Sequence, residues 1–347
     1  MKILAIETSC DETAAAIASL DNHNITILSN VVASQIDIHQ AFGGVVPEVA
    51  AREHVKQILP IIDQALKEAG LSKQTASKEL NGIAVTQGPG LLTSLLVGVE
   101  TAKSLALAWN LPLVPVQHVT GHIAANFINR DLTKFNFPIL TLTVSGGHTA
   151  LILMKDYLTY EIIGQTLDDA AGEAFDKAAS LLKLGYPGGP KISAAAAKFA
   201  AQNKATSIVL PQPMIKRSDY NFSFSGLKTA LLYALQKDSA WSEKVNEYAY
   251  VFEQAVTQAL IRKTIKAAHD LEVKTIMLAG GVSANKNLRE ALTQTIQQKL
   301  PSVNFLMPEL TYTTDNAAMI AAAGLIRLEK QKTTDPITVL AQPNWPI

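Results

Sequence analysis

Two histidines lie four residues apart in the segment VQHVTGHIAA (residues 116–125), and this spacing is the first feature of the sequence that suggests chemistry. On a helix, His118 and His122 would lie on one face with their Cβ atoms about 5–6 Å apart. That is the spacing of a two-histidine metal site, which a carboxylate from elsewhere in the chain would complete. The alternative is two ordinary helix histidines, since the chain has 7 histidines among 347 residues.

A zinc peptidase would need more than this pair of histidines. Its HExxH pattern places a glutamate directly after the first histidine, where the glutamate acts as the general base. Val119 holds that position in this sequence. The pair can therefore bind a metal, but it lacks the base of the peptidase.

Three carboxylates and a cysteine share the short segment ETSCDET (7–13). Glu7, Asp11 and Glu12 could hold a hydrated cation or orient a nucleophile near phosphates. A polar, solvated hairpin loop is the alternative, although such a loop does not need three carboxylates. Cys10 has no histidine next to it in the sequence, so a small buried thiol is a better interpretation than a nucleophile.

Glycine-rich turns occur at two places where the backbone can come close to a ligand. SGGHT (145–149) is expected to be a turn between two strands, and its paired glycines permit a close approach. AGGVSANKNLRE (279–290) is expected to lead into a helix that starts near Ser283 or Asn285. Anions bind at such helix N-termini, and Asn285 can hydrogen-bond a ribose or a phosphate. A tight hairpin and a capped turn are the alternatives.

Acidic residues also stand near the starts of two predicted helices. TLDDAAGEAFDKAASLL (166–182) is predicted to be a helix with an acidic start, because Asp168, Asp169, Glu173 and Asp176 exceed what capping needs. TTDNAAMIAAAG (313–324) places Asp315 just before another helix. Asp315 is therefore either the third ligand of a metal site or an N-cap.

The charge balance restricts a role in nucleic-acid binding. The chain has 30 basic and 30 acidic residues, whereas proteins that bind nucleic acid largely on their own usually carry a basic excess. A nucleic-acid role would need a local patch or a basic partner. Residues 213–229 interleave Lys216, Arg217 and Lys228 with aromatic residues, which suits single-stranded RNA. The alternation NFSF in that segment is equally typical of a strand.

A single cysteine and a short N-terminal apolar run indicate a cytoplasmic protein. Cys10 cannot form a disulfide within the chain, which fits a reducing compartment. The run that starts at Met1 ends at Glu7 and is too short for the core of a signal peptide. The longest apolar stretches are broken by proline, so we expect no membrane span.

An internal repeat predicts the fold. ILAIETSCDETAAAI (3–17) aligns with ILTLTVSGGHTALIL (139–153), and each is predicted to form a strand, a turn and a second strand. Residues 82–108 and 274–296 are each predicted to form a strand, a glycine turn and a helix. The length allows about two domains. We therefore predict an α/β protein of two similar lobes, each with a mixed sheet and helices, that face each other across a cleft.

Motifs along the whole chain resemble, in order, those of the tRNA N6-adenosine threonylcarbamoyltransferase family, once labelled O-sialoglycoprotein endopeptidase. They are ETSCDET, FGGVVPEVAAREH, TQGPGLLTSLLVG, HVTGH, VSGGHT, DDAAGEAFDK, YPGGP, FSFSGLKT, AGGVSAN and TDNAAMIA. The lack of a transit peptide suggests a bacterial rather than an organellar member. The resemblance implies an actin-like, sugar-kinase-like (ASKHA) two-lobed fold with an interlobe cleft. We place the N-terminal lobe at 1–126 plus 315–347 and the C-terminal lobe at 127–314.

The resemblance also implies a reaction. A partner enzyme, threonylcarbamoyl-adenylate synthase, would make threonylcarbamoyl-adenylate from threonine, bicarbonate and ATP. This chain would transfer the threonylcarbamoyl group to N6 of the adenosine 3′ of the anticodon, in tRNAs that read codons beginning with A. An inactive paralogue and a small ATPase are expected partners in a bacterial complex. A metal-dependent (glyco)peptidase and a catalytically idle scaffold of the same fold are the alternatives.

Site residues follow from the resemblance, position by position. The family's metal ligands fall on His118, His122 and Asp315, which implies one divalent metal per chain, with iron(II) expected and zinc as the alternative. The family's substrate contacts fall on Thr143, Val144, Ser145, Gly146, Gly147, Asp176, Gly189 and Asn285. Asp11 is our candidate for the group that takes the proton of the attacking amine.

Two positions depart from the family pattern. Thr120 stands where many relatives have an acidic residue, although this is not a ligand position. Ser193 stands where many relatives have an aspartate near the threonyl group. This chain therefore has no carboxylate at position 193 for that contact.

Overall fold

The structure is a computed structural model that describes residues 1–212, 214 and 217–347. Its strands are β1 (Lys2–Glu7), β2 (Glu12–Asp21), β3 (Asn24–Ser34), β4 (Gly82–Gly88), β5 (Leu113–Gln117), β6 (Ile139–Val144), β7 (Thr149–Met154), β8 (Tyr160–Gln165), β9 (Thr275–Ala279) and β10 (Asn304–Leu306). Its helices are α1 (Ile36–Gln40), α2 (Pro47–Glu68), α3 (Lys73–Glu79), α4 (Leu92–Trp109), α5 (His118–Ala124), α6 (Ala171–Leu181), α7 (Gly188–Ala200), α8 (Ser225–Lys237), α9 (Val245–Asp270), α10 (Lys286–Lys299) and α11 (Ala317–Glu329). None of these helices is both long and apolar enough to cross a membrane.

The described chain divides into two compact units. Unit 1 comprises Met1–Phe135 and Pro308–Ile347, and unit 2 comprises Asn136–Met307. The boundaries of the units thus fall at 135/136 and 307/308, compared with the lobe boundaries at 126/127 and 314/315 that we drew from the sequence.

Each unit contains a five-stranded mixed sheet, and the two sheets have the same topology. The strand order is β3-β2-β1-β4-β5 in unit 1 and β8-β7-β6-β9-β10 in unit 2. In both sheets the three strands that come first in the chain are antiparallel neighbours, and the last two are added in parallel. The duplication predicted from the sequence repeat is therefore confirmed.

The register of the two hairpins shows how closely the units match. Ile3 faces Ala18 in the β1–β2 hairpin, and Ile139 faces Met154 at the same sequence separation in the β6–β7 hairpin. Strands β4, β6 and β7 are buried along their whole length. Continuous burial of this kind requires cover on both faces of a sheet. Helices α2, α4 and α11 pack on the first sheet, and α6 to α10 share the core of unit 2 with β6.

The acidic segment before α6 differs from the prediction. α6 begins at Ala171, so Asp168 and Asp169 precede the helix. Asp168 instead accepts hydrogen bonds from the Phe224 backbone N–H at 2.7 Å and from the Ser225 hydroxyl at 2.7 Å. Asp168 thus fixes the start of α8, which is a contact between distant parts of the chain that helical periodicity does not reveal.

Glycine at position 324 permits α11 to pack closely on the first sheet. A Cβ atom there would lie 2.6 Å from Ala84 Cβ and 3.2 Å from Ile3 Cδ1. We expect Gly324→Ala to lower the free energy of unfolding by about 1–3 kcal/mol, because the sheet must shift to admit the methyl group. Denaturant unfolding would measure this loss.

Gly226→Ala in α8 is the matched control for this substitution. A Cβ atom at Gly226 would meet no atom within 4 Å, so we expect unchanged stability or a gain of up to about 1 kcal/mol from helix propensity. Equal unfolding free energies for the two variants would contradict the close packing of α11.

Candidate metal centre and ligand-binding turns

Helix α5 places both histidines on one face, as the spacing predicted. The helix begins at His118 because the Gln117 side chain accepts a hydrogen bond from the Thr120 N–H at 2.9 Å and so caps the first turn. The Gln117 amide also donates to the Trp345 carbonyl at 3.3 Å. The ring centroids of His118 and His122 are 4.7 Å apart, and the rings are nearly perpendicular.

Asp315 completes a three-residue cluster with these histidines. Asp315 Oδ1 lies 3.1 Å from His122 Nε2 and 3.6 Å from His118 Nε2. One potential ligand atom from each residue lies within 4.8 Å of the other two. The N-cap of α11 is Asn316, whose side chain accepts from the Met319 N–H at 3.1 Å. The interpretation of Asp315 as an N-cap is therefore wrong.

A glycine between the two histidines permits this arrangement. A Cβ atom at Gly121 would lie 2.6 Å from Ile320 Cδ1, so α5 and α11 touch where a larger side chain would separate them. Because Asp315 directly precedes the capped start of α11, this close packing brings its carboxylate to the histidine rings.

A buried carboxylate orients His118 from the other side. Glu7 is fully buried, and its Oε2 lies 3.4 Å from His118 Nδ1, while Ser9 Oγ lies 3.1 Å from the same nitrogen. Glu7 also accepts hydrogen bonds from the Ser9 N–H and the Thr86 hydroxyl. Since a carboxylate only accepts, His118 Nδ1 carries a proton and Nε2 is left for a metal, which is the arrangement typical of metal-bound histidines.

The state of His122 also fits a metal. His122 is 2% exposed, and neither of its ring nitrogens has a hydrogen-bond partner in the described part of the chain, although Asp315 lies within ion-pair distance. A buried polar atom without a partner costs free energy. Two imidazole nitrogens and one carboxylate oxygen suit iron(II) or zinc, so the residues present fit such an ion.

The electrostatics of the cluster favour positive charge. Burial lowers the pKa of His118, but Asp315 and Glu7 outweigh this effect and raise the pKa of His118 to about 9. Burial would raise the pKa of Glu7, yet the charge of His118 and the hydrogen bond to it lower the pKa below its usual value. Protonated His118 thus supplies the positive charge beside Glu7 and Asp315 that a bound divalent cation would otherwise supply.

Asp11, our candidate proton acceptor, belongs to the same unit and is 8% exposed. Burial, together with the charges of Asp315 and Asp11, raises the pKa of the neighbouring Glu12 to about 9. Burial and Asp11 also raise the pKa of the Cys10 thiol far above its usual value. A thiol that resists ionisation is a poor nucleophile, which agrees with our interpretation of Cys10.

The predicted substrate contacts all lie in unit 2, and the first five form the end of β6 and the turn after it. Thr143 and Val144 are buried at the end of the strand, whereas Gly146 and Gly147 are exposed. A Cβ atom at either glycine would meet no atom within 4 Å. Ser145 N–H donates to the His148 carbonyl at 2.7 Å and closes the turn. The turn therefore presents two glycines to open space.

Asp176 and Gly189 meet at the start of α7. Asp176 Oδ1 accepts from the Gly188 N–H at 2.7 Å, and the Gly189 N–H also hydrogen-bonds to this carboxylate. Burial raises the pKa of Asp176 above its usual value, and these two bonds oppose the rise. Asp176 thus caps α7, and a Cβ atom at Gly189 would face open space. The roles of both residues in substrate binding stay predictions.

Asn285 is the N-cap of α10 and belongs to a partly buried polar cluster. Its Oδ1 accepts from the Leu288 N–H at 2.8 Å, and its Nδ2 donates to Ser193 Oγ at 2.9 Å and to Glu253 Oε1 at 2.8 Å. We did not single out Glu253 from the sequence. It lies in a helix that we expected to be amphipathic, and a single glutamate in such a pattern gives no sign of whether it is buried.

Two of the three aromatic rings in the basic and aromatic segment 213–229 are not available to RNA. Phe222 and Phe224 are buried in the core of unit 2, and Phe222 forms an isolated bridge with Thr166, which agrees with the strand alternative. Arg217 Nε lies 3.1 Å from Asp219 Oδ2. Lys216 lies outside the described residues.

Taken together, the duplicated five-stranded sheets and the His–His–Asp cluster define the class: an α/β protein of two actin-like units with a candidate metal centre in the first. The chain belongs to the tRNA N6-adenosine threonylcarbamoyltransferase family, whose family model matches residues 26–322.

Similar proteins of the same name come from several bacteria. The tRNA N6-adenosine threonylcarbamoyltransferase of Bacillus subtilis (strain 168) is 48% identical over 332 residues, which cover 95% of this chain and 91% of that protein. The protein of that name from Listeria monocytogenes serotype 4b (strain CLIP80459) is 49% identical over 326 residues, which cover 93% of this chain and 90% of that protein.

Solved structures confirm the predicted fold class. The crystal structure of T. kodakarensis HypF matches with a TM-score of 0.61 at 15% identity, and covers 95% of this chain. Full-length HypF in its phosphate- and nucleotide-bound form matches with a TM-score of 0.63 at 12% identity, and covers 96% of this chain. This chain spans 48% and 47% of those two proteins. At such identities the likeness shows the fold alone.

Removal of the carboxylate ligand tests the metal centre. We expect about one iron or zinc ion per chain in protein purified without chelators or a histidine tag, and almost none in Asp315→Ala, because two imidazoles alone hold a divalent ion weakly. Elemental analysis would measure the metal. Asp63→Ala, which removes a surface carboxylate of the same unit, should keep the full content. Equal metal in Asp315→Ala and wild type would contradict the assignment of this ligand.

The charge of His118 predicts how metal affinity depends on pH. The groups that face its ring are Glu7, Ser9, His122 and Asp315. Because the pKa of His118 is raised to about 9, the ring is protonated at neutral pH and must lose its proton to bind a metal. Zinc affinity should rise about tenfold per pH unit between roughly pH 6.5 and 8.5, with about one proton released. Calorimetry in buffers of different ionisation enthalpy measures the zinc affinity and the number of protons released. A zinc affinity that does not change with pH would contradict the prediction.

Proposed function

We propose that this protein transfers the threonylcarbamoyl group of threonylcarbamoyl-adenylate to N6 of the adenosine 3′ of the anticodon, in tRNAs that read codons beginning with A. Membership of the family, with relatives that match 95% of the chain, supports the reaction. The observation that carries the proposal is the cluster of His118, His122 and Asp315, since an idle scaffold has no need of three converging metal donors.

We propose one divalent metal per chain, iron(II) first and zinc as the alternative. His118 and His122 would offer ring nitrogens and Asp315 a carboxylate oxygen, while Glu7 keeps the His118 ring in the required tautomer. When bound, such an ion supplies a Lewis acid that can polarise a carbonyl or phosphate oxygen. Val119 follows His118 where a zinc peptidase has its glutamate base, and Glu7, the carboxylate beside His118 Nδ1, is fully buried.

The bond changes define what the protein must do. A bond forms between adenine N6 and the carbamoyl carbon, the bond between that carbon and the phosphate oxygen breaks, and AMP leaves with its electron pair. N6 loses a proton. AMP is a good leaving group, but the adenine amine is a poor nucleophile, so the protein must stabilise charge on the carbonyl oxygen and accept the proton. The adenine must also leave its stack in the tRNA.

Residues of each unit are suited to one of these tasks. In unit 2, the turn at Gly146 and Gly147 exposes backbone that could donate N–H groups to a carbonyl oxygen as negative charge develops there. In unit 1, Asp11 is our candidate for the acceptor of the N6 proton. The remaining predicted contacts, at Asp176, Gly189 and Asn285, would hold the adenylate.

The partners follow from the reaction and from the charge. A threonylcarbamoyl-adenylate synthase would supply the donor, and tRNA is the acceptor. The chain has 30 basic and 30 acidic residues, so partner proteins would supply part of the affinity for the phosphate backbone of tRNA. We propose an inactive paralogue and a small ATPase as these partners.

Transfer of labelled threonine tests the proposal. The complete mixture contains the chain, the synthase, the partner proteins, threonine, bicarbonate, ATP and a tRNA for a codon beginning with A. We expect label in the tRNA with wild-type protein and a loss of at least about 100-fold with His122→Ala, since each metal ligand is needed.

A tRNA with guanosine in place of the adenosine 3′ of the anticodon is the substrate control and should take up no label. Asp63→Ala is the protein control and should act as wild type. Absence of label with metal-loaded wild-type protein, or equal label in both tRNAs, would refute the proposed function.

A further inference from the structure

A closed triangle of hydrogen bonds joins three polar side chains of unit 2. Ser193 Oγ donates to Glu253 Oε1 at 2.7 Å, and Asn285 Nδ2 donates to Ser193 Oγ at 2.9 Å and to Glu253 Oε1 at 2.8 Å. The residues come from α7, α9 and the cap of α10, respectively. Asn285 is fixed further because its Oδ1 accepts from the Leu288 N–H at 2.8 Å.

The triangle uses every hydrogen-bond donor that it contains. Asn285 has two amide protons and Ser193 has one hydroxyl proton, and all three lie within the triangle. The groups that remain for a ligand are acceptors, chiefly Glu253 Oε2, which receives no hydrogen bond from the described residues. A ligand group at this place must therefore donate hydrogen bonds. A phosphate, which only accepts and is negative, does not fit.

The carboxylate of Glu253 is costly where it lies. Glu253 is 5% exposed, and the described residues that bond to it are neutral donors, both of which reach Oε1. Burying a carboxylate without a cation costs more than burying an amide of the same shape. A glutamine would accept the same two bonds on its oxygen. The triangle alone thus gives no reason for a charged residue at position 253.

The triangle lies next to two of the predicted substrate contacts. Asn285 is itself one of them, and Ser193 follows Gly189 by four residues on α7, so the two share one helix face. A Cβ atom at Gly189 would face open space. Ser193, whose hydroxyl donates to Glu253, is therefore one helical turn from a place where a ligand has room.

We propose that Glu253 is a ligand-binding residue of unit 2, whose free carboxylate oxygen accepts a hydrogen bond from a ribose hydroxyl of the adenylate. This inference rests on the proposed function, because it takes the ligand to be an adenylate. From the sequence, Asn285 could bind either a ribose or a phosphate, and this inference places it near the ribose. It also assigns to Glu253, held by Ser193, the negative charge that an aspartate at position 193 would carry, and it places that charge at the ribose instead of at the threonyl group that the resemblance implied.

Glu253→Gln separates ligand binding from structure, because glutamine keeps the two bonds of the triangle and loses only the free acceptor. With AMP, 2′-deoxy-AMP and 3′-deoxy-AMP as probes, we expect wild type to bind AMP at least about tenfold more tightly than one of the deoxy probes. Glu253→Gln should bind AMP about tenfold more weakly and no longer distinguish that deoxy probe. Calorimetry would measure all three constants.

Ser193→Asp supplies a reciprocal test. Alone it sets a second carboxylate beside Glu253, and the repulsion should weaken AMP binding and lower thermal stability. The double variant Ser193→Asp, Glu253→Gln again has one carboxylate in the triangle, now on α7 instead of α9. We expect its affinity for AMP, and its preference for AMP over the deoxy probe, to recover to within about threefold of wild type. Glu247→Gln, at a half-buried glutamate of the same helix that accepts from Thr206 and not from the triangle, should leave AMP binding unchanged.

The outcomes separate this inference from the proposed function. The threonine-transfer assay reports the function by itself. If wild type transfers threonine but Glu253→Gln binds AMP as wild type does, the inference is wrong and the function stands. If the double variant binds AMP no better than either single variant, the assignment of a shared carboxylate is wrong.

Discussion

The contact of α5 with α11 is the constraint on which the candidate metal centre depends. One helical turn sets the spacing of His118 and His122, but their third partner comes from a distant part of the chain. Only a glycine at position 121 lets Ile320 approach closely enough for Asp315 to reach both rings. The duplicated sheet supplies the platform, because α5 follows β5 directly and α11 packs across β1 and β4.

Buried charge is handled differently in the two units. In unit 1, Glu7 and His118 share one charge pair, so each keeps its charged form although both are buried, and the pair is poised to exchange a proton for a cation. In unit 2, the two donors that reach Glu253 from the described residues, Ser193 and Asn285, are both neutral. A cost of this kind is typical of residues whose partner arrives with a ligand.

Local patterns allowed much of the fold to be predicted. The hairpins at 3–17 and 139–153 and the helix face of the histidines depend on neighbours in sequence, and the structure has them as expected. Contacts between distant segments could not be predicted from such local patterns. Asp168 lies before α6, outside the helix predicted for it, and accepts a hydrogen bond at the start of α8. Glu253 stands out only because Ser193 and Asn285, which are distant in the sequence, donate hydrogen bonds to it.

The division of unit 1 between the two ends of the chain has a consequence for biosynthesis. Unit 2 is complete at Met307, whereas Asp315, α11 and the carbonyl of Trp345 that holds Gln117 all follow it. All residues of unit 2 are therefore synthesised while unit 1 still lacks α11 and the candidate metal ligand Asp315. During translation, capture of a metal by all three ligands therefore cannot precede the synthesis of Asp315 and α11, which follow the whole of unit 2.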